Sequence, residues 1–264
     1  MSLQVQQLVK HFDGVKAVNG VSFDVRAGEC VALIGPNGAG KSTCFACIAG
    51  QHRLTSGEVI WNGQRIDLWP VQQRLKAGVA RTFQVAQTFE ALTVLQNVQL
   101  ALGNAKGLST WRSIDTQQRD SSRTLLDKLG LLPLAGVDVL GLPYGAKKRL
   151  ELAIALAGIN TSGQTPRLLL LDEPAAGLAG SERAALMQVV KSLTHASSND
   201  ANTAVLYTEH NMDAVFGVAD RVLVLIDGQL AAEGSPHEIA KNEAVRSRYL
   251  GKQFMGTQVE ANRV

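Results

Sequence analysis

Cysteine is scarce in this 264-residue chain, with only Cys30, Cys44 and Cys47. An odd, small number of thiols, together with a start (Met1-Ser2-Leu3-Gln4-Val5) that lacks a basic region leading into an apolar stretch, reads as no secretory signal and a reducing compartment. Cys44-Phe45-Ala46-Cys47 has the spacing of a redox or zinc pair, but zinc would need a second pair. The segment also falls where a buried helix is expected, so both sulfurs are assigned to packing. No apolar run approaches the roughly 20 residues that cross a bilayer, so contact with a membrane has to go through partners. Neither sign of charge dominates: 26 Lys+Arg face 23 Asp+Glu, mixed along the chain, and no nucleic-acid partner is expected. Repeats and low-complexity segments are absent as well. What is present, 45% hydrophobic and 19% charged residues, suits a globular protein with a real core.

The first third reads as short strands and turns. Val21–Val25 and Cys30–Ile34 flank Ala27-Gly28, and Glu58–Trp61 runs into Asn62-Gly63. From about Leu92 to Ala157 apolar residues recur at helical spacing (Leu125, Leu126, Leu129; Leu150, Ala153, Ile154, Ala157), with the polar stretch Gly103–Asp120 read as a loop or a loosely packed connection. After Pro166 the pattern becomes strand–helix–strand. Leu168–Leu171, Val205–Tyr207 and Val222–Ile226 are continuous apolar runs, as in strands buried on both faces of a parallel sheet. The coarse architecture is an α/β core carrying an inserted helical subdomain.

Two segments carry chemistry. Gly35-Pro36-Asn37-Gly38-Ala39-Gly40-Lys41-Ser42 matches G-x-x-x-x-G-K-[ST] in full, led in by the Val31–Ile34 strand and followed by a helix over Thr43–Ala49. Glycines let backbone N–H groups close around a phosphate, and the helix N-terminus adds partial positive charge. Lys41 is expected to reach the β- and γ-phosphates of ATP, and Ser42 to offer its hydroxyl to Mg²⁺. The second segment is Asp172-Glu173-Pro174, set at the end of the Leu168–Leu171 strand, where open α/β sheets bind ligands. Asp172 is expected in the Mg²⁺ shell and Glu173, turned differently, at the attacking water.

These residues, taken with Gln84, Leu142–Ala146 and His210, occur in the order and spacing of ABC ATPases, and the resemblance spans about Leu3 to Leu250. Arg81-Thr82-Phe83-Gln84, Leu142-Pro143-Tyr144-Gly145 and Tyr207-Thr208-Glu209-His210-Asn211-Met212 most resemble the ATP-binding subunits of branched-chain amino-acid, amide and urea uptake systems. The resemblance implies a P-loop NTPase (RecA-like) α/β core with an N-terminal antiparallel β subdomain and an inserted helical subdomain. It implies one domain over 3–250 (core 3–87 and 164–250, helical part about 88–163) and a polar tail, 251–264. By the same resemblance Gln84 touches Mg²⁺ and the attacking water, and His210 holds Glu173 and the γ-phosphate region. Phe12 stacks on adenine, a core role being its competitor, and Thr43 completes the phosphate contacts. Pro143, Tyr144, Gly145 and Ala146 face the nucleotide of a partner subunit. The implied activity is ATP hydrolysis powering an importer from the cytoplasmic face of the inner membrane. The implied partners are a second ATPase subunit in a head-to-tail dimer, membrane permeases and, indirectly, a periplasmic binding protein.

Three positions depart from that pattern. Pro143 stands where relatives have Ser and offers neither hydroxyl nor N–H, Ala146 lacks a polar side chain, and Ala179 occupies a place usually held by Asp or Asn. A heterodimer with a second, different ATPase and a homodimer relying on backbone contacts both remain open. A helix is expected over Lys147–Gly158, and the basic run Lys147-Lys148-Arg149 at its exposed start reads as a solvated face. Competing classes lack their marks: tandem cassettes, coiled-coil arms or Cys clusters for a ribosome or DNA factor, and Asn-Lys-x-Asp for a GTPase. A small-molecule kinase would leave Leu142–Ala146 and His210 unexplained.

Overall fold

The computed structural model describes residues 2–82, 88–105, 111–159, 167–195 and 203–250, with the side chains of 111–117 and 250 outside that description. The chain begins with a hairpin, β1 (Ser2–Phe12) and β2 (Val15–Arg26), closed by Asp13-Gly14 with φ of 42° and 90°. Positive φ at both central residues matches the right-handed strand twist. In β1 the alternation of buried Leu3 and Val5 resumes at Leu8, because the pairing slips between Val5 and Leu8. Gln7, with φ of 47°, takes up the extra residue, and its N–H donates to Ser22 Oγ. β3 (Cys30–Ile34) follows the Ala27-Gly28 turn but does not pair with β2. That turn passes the chain from one sheet to another. β4 (Ser56–Trp61) and β5 (Gln64–Arg65) then form a hairpin across Asn62-Gly63, completing a four-stranded sheet of order β2-β1-β4-β5.

The second sheet has six strands in the order β10-β9-β3-β8-β7-β6, with β6 at Val79–Arg81, β7 at Arg167–Asp172, β8 at Thr203–Thr208, β9 at Arg221–Ile226 and β10 at Gln229–Gly234. All neighbours are parallel except β10, which runs antiparallel to β9. Every residue of β3 and β8 is buried, which is why β3 and the middle of β8 (Ala204–Leu206) are continuously apolar rather than alternating. Alternate residues serve two cores. Cys30, Ala32, Ile34, Leu169 and Leu171 face one, and Val31, Leu33, Leu168 and Leu170 face the other.

The second of these cores lies between the sheets and holds α1 (Lys41–Ile48), whose Cys44 and Cys47 are buried and free, as the packing assignment expected. Burial pushes the Cys47 thiol up to about 11. Arg74, on α2 (Val71–Lys76), is buried and donates to the last carbonyls of α1, Cys47 O at 2.8 Å and Ile48 O at 2.6 Å. The first core packs α3 (Val94–Ala105), α4 (Trp111–Lys128) and α5 (Tyr144–Gly158), all three inserted between β6 and β7, together with α6 (Gly180–Ser192). The short helices α7 (Met212–Phe216) and α8 (Pro236–Lys241) complete the described chain's main elements.

Two expectations are corrected here. The described residues of the stretch Gly103–Asp120 are helical rather than loop: 103–105 end α3 and 111–120 belong to α4. Its buried positions include Gln118, followed at helical spacing by Ser122 and Leu126, so polar side chains carry part of the inward stripe and hide it from apolar periodicity. The basic run is not wholly solvated. Lys148 is 5% exposed and lies 3.3 Å from Glu151 one turn along α5, since this side of the helix packs toward Leu171 and Leu186.

Candidate functional site

The strand β3 ends at Ile34, and the chain turns back over its C-terminal edge before entering α1. Gly40 caps α1 with φ of 98°, and a Cβ there would sit 2.2 Å from Ala17 O, so only glycine lets β2 approach this closely. Two backbone bonds anchor the loop: Ala39 N donates to Pro36 O at 3.2 Å and Gly228 N to Ala39 O at 3.1 Å. Lys41 is 6% exposed. Its Nζ donates to Gly35 O at 2.7 Å and Pro36 O at 3.0 Å, inside the curve of the loop. Burial lowers its pKa, against the opposing pull of Glu173 and Asp172.

A cleft of about 310 Å³ opens over this loop, lined by Ala17, by Asn37 through Thr43, and by Glu173 and His210. Residues separated by well over a hundred positions thus share one wall, because the C-terminal ends of β3, β7 and β8 lie side by side. Asp172 lies at the end of β7, 4% exposed. It accepts from Arg81 Nη2 at 2.6 Å and from Thr208 Oγ1 at 2.9 Å. Glu173, one residue on, turns through φ of 50° and meets His210 Nε2 at 2.8 Å through Oε1. Behind His210, Glu209 is buried and accepts from Ala175 N at 2.9 Å and His210 N at 3.2 Å. Burial pushes its carboxyl above the usual range, and those two N–H bonds act in the other direction.

The other expected site residues fall elsewhere. Phe12 lies at the tip of the first hairpin, 39% exposed and edge-on to His52 at 5.2 Å, off the cleft wall. Gln84 lies outside the described residues. Pro143 is the N-cap of α5, and Tyr144, Gly145 and Ala146 form its first turn, three residues earlier than the helix start expected at Lys147. Ala146 is buried in the chain's own core, and its N–H donates to Pro143 O at 3.0 Å. Tyr144 is half exposed, and its hydroxyl donates to Ala176 O at 3.3 Å. Ala179 caps α6 with no side-chain hydrogen bond. Sequence reasoning missed Ala17, Arg81, Thr208 and Glu209. Arg81 and Thr208–Glu209 stood inside quoted motifs, but their partners are 91, 36 and 34 positions away.

A cleft floored by a glycine loop and helix N-terminus offers N–H donors and partial positive charge suited to an anion, with a carboxylate–imidazole pair on its wall. A profile described as ABC transporter matches residues 18–176. The chain belongs to the ABC transporter family. Over 259 residues it is 38% identical to the high-affinity branched-chain amino acid transport ATP-binding protein LivG of Salmonella typhimurium, covering 95% of this chain and 98% of that one. The corresponding Pseudomonas aeruginosa protein, BraF, is 32% identical over the same length, with 95% and 98% covered. The lipopolysaccharide export system ATP-binding protein LptB of Haemophilus influenzae is 32% identical over 254 residues, with 96% and 98% covered. Among solved structures, an ATP-binding cassette of an ABC transporter in its ADP conformation superposes with a TM-score of 0.81 at 27% identity, covering 96% of this chain and all of that one. The two sheets and the inserted helices are those of an ABC-type P-loop ATPase.

Proposed function

We propose that this chain binds and hydrolyses ATP as the energising subunit of an ABC importer for branched-chain amino acids or a related amide or urea. The observation that carries the reading is the meeting of Glu173 and His210 over the phosphate loop in one cleft. LivG and BraF, named for branched-chain amino acid transport, support the substrate class. Lys41 would exchange the carbonyls of Gly35 and Pro36 for β- and γ-phosphate oxygens, and the N–H groups of 38–42 would close on the same anion. A serine hydroxyl and a buried carboxylate are hard oxygen donors that suit Mg²⁺, which keeps several waters, so Ser42 and Asp172 are the residues that would hold it. Bound there, the ion would neutralise charge between the β- and γ-phosphates. Glu173 would take the proton of the attacking water while His210 holds the carboxylate turned toward the cleft; positioned proton transfer of this kind contributes roughly 10²–10⁴-fold. Gln84, by the family resemblance, would add to the same site.

In this reading the first turn of α5, with Tyr144 and Gly145, is offered to a second ATPase subunit. The N–H groups of Tyr144 and Gly145 precede the first helical bonds, which start with Ala146 and Lys147 donating to Pro143 O. Pro143 and Ala146 bring no polar side chain, which weighs toward a different chain as the partner. The described residues hold no helix long and apolar enough to cross a membrane. By the family resemblance the subunit would sit at the cytoplasmic face through permease subunits, with a periplasmic binding protein supplying the solute.

The test is Glu173→Gln, followed by light scattering after size exclusion with and without Mg·ATP. The variant should bind ATP with wild-type affinity and lose hydrolysis about a hundredfold or more. Normal turnover would remove Glu173 from the mechanism. An ATP-dependent monomer-to-dimer shift would favour the homodimer, whereas ATP binding without it would favour a heterodimer.

A further inference from the structure

Glu173 holds a φ of 50°, a region that residues with a Cβ seldom occupy. Such a conformation persists where its surroundings over-determine it. Those surroundings are two consecutive residues at the end of β8. The Glu173 N–H donates to Thr208 Oγ1 at 3.0 Å, and the same hydroxyl donates to Asp172 Oδ1 at 2.9 Å, so one oxygen holds both the entry to the turn and the carboxylate just before it. Two residues further on, Ala175 N donates to Glu209 Oε1 at 2.9 Å, while Glu209 Oε2 accepts from His210 N at 3.2 Å. Both Glu209 oxygens are thus engaged by backbone of the two segments that carry Glu173 and His210. The side-chain contact between those two residues closes the ring at 2.8 Å.

We propose that Thr208 and Glu209 are positioning residues for hydrolysis: together they hold the Glu173 peptide in its left-handed turn and so aim its carboxylate at His210 and the cleft. The proposal rests on the reading of Glu173 as the group that handles the attacking water. A carboxylate suits position 209 because it accepts at both ends. A glutamine would accept from one N–H and set its own NH₂ against the other. Threonine suits 208 because a hydroxyl can accept and donate at once, which the nearly isosteric valine cannot.

The experiment measures kcat, KM and the ATP dissociation constant for the full-length wild type and for Glu209→Gln, Thr208→Val, Thr208→Ser and Glu173→Gln. A displacement on the order of 1 Å near reacting atoms costs up to about a hundredfold. Glu209→Gln and Thr208→Val should therefore lose about tenfold or more in kcat, with KM and ATP affinity within about twofold of wild type. Thr208→Ser should retain turnover close to wild type. Three results would overturn the proposal: wild-type kcat in both Glu209→Gln and Thr208→Val, loss of ATP affinity in step with kcat, or Thr208→Ser as impaired as Thr208→Val. Should Glu209→Gln fail to fold, the valine–serine pair at 208 decides alone. Full activity in Glu173→Gln is a separate result, and it brings down the parent reading rather than the brace.

Discussion

A methyl group added at position 38 and one added at position 40 meet different surroundings. At Gly38 it would find nothing within 4 Å, and the only cost is a left-handed backbone, about 1–2 kcal/mol. At Gly40 it would lie 2.2 Å from Ala17 O as well, so β2 or the helix start has to move, adding about 1–3 kcal/mol. Gly38→Ala should therefore lower the thermal midpoint modestly, while Gly40→Ala lowers it further and weakens ATP binding at least tenfold by calorimetry. Equal effects of the two would contradict the close approach of β2. At this scale the phosphate-loop motif was legible, because each of its residues acts through its own backbone or side chain over a few positions. The support behind it was not. Ala17 contributes a carbonyl that any residue would carry, and Thr208 and Glu209 take their meaning from partners on β7 and the turn after it.

Among the elements, α6 begins at Ala179 with φ of −68° and ψ of 162°, the extended geometry of a helix cap, but no side-chain oxygen accepts from its first turn. Ser235 at α8 and Asn211 at α7 do accept such bonds. Ala179→Asn should supply the missing acceptor and add about 1 kcal/mol, a rise of about 2 °C in the thermal midpoint. A fall would mean that this cap position is constrained by something other than helix geometry. Elements were readable where apolar residues reported burial, as in β3, β7, β8 and β9. The helix α4 was misread because Gln118 and Ser122 occupy its inward face, and the start of α5 because its first turn combines a half-exposed tyrosine with a buried alanine. Periodicity of hydrophobic residues cannot show a polar side chain that is buried.

Across the whole molecule the two sheets meet at Arg221. Its guanidinium binds both oxygens of Glu29, at 2.7 and 3.0 Å, donates to Asp24 O at 2.7 Å, and also pairs with Glu233. One side chain on β9 thereby joins β2, the turn before β3, and β10. The Glu29 bond holds the guanidinium pKa above its ordinary value, and the cation persists at any working pH. Arg221→Met leaves Glu29 partly buried without its counter-charge. Because the cluster retains some exposure to water, it should cost about 2–3 kcal/mol, below the range for a fully buried pair. A lower urea midpoint at unchanged slope is the expected readout, partly restored by adding Glu29→Gln; an unchanged midpoint would show that the cluster is ornamental to stability. The α/β class and the inserted helices were legible at this scale, but the joint between the sheets was not, because its charges are spread from Asp24 to Glu233.

The phosphate loop leans on segments from distant parts of the chain: Ala17 at Gly40, and Gly228 at Ala39, with Asn19 N donating in turn to Gly228 O at 2.8 Å. On the ribosome these parts emerge far apart in time, since synthesis proceeds at roughly 5–20 residues per second. A nascent chain that has just completed Ser42 carries the whole motif, yet its neighbouring strands β8 and β9 and the β9–β10 turn are still to be made. The cleft is therefore a late product of folding although its most recognisable residues are among the first translated, and a chain truncated before about residue 203 would display the nucleotide motif without the means to hold a nucleotide.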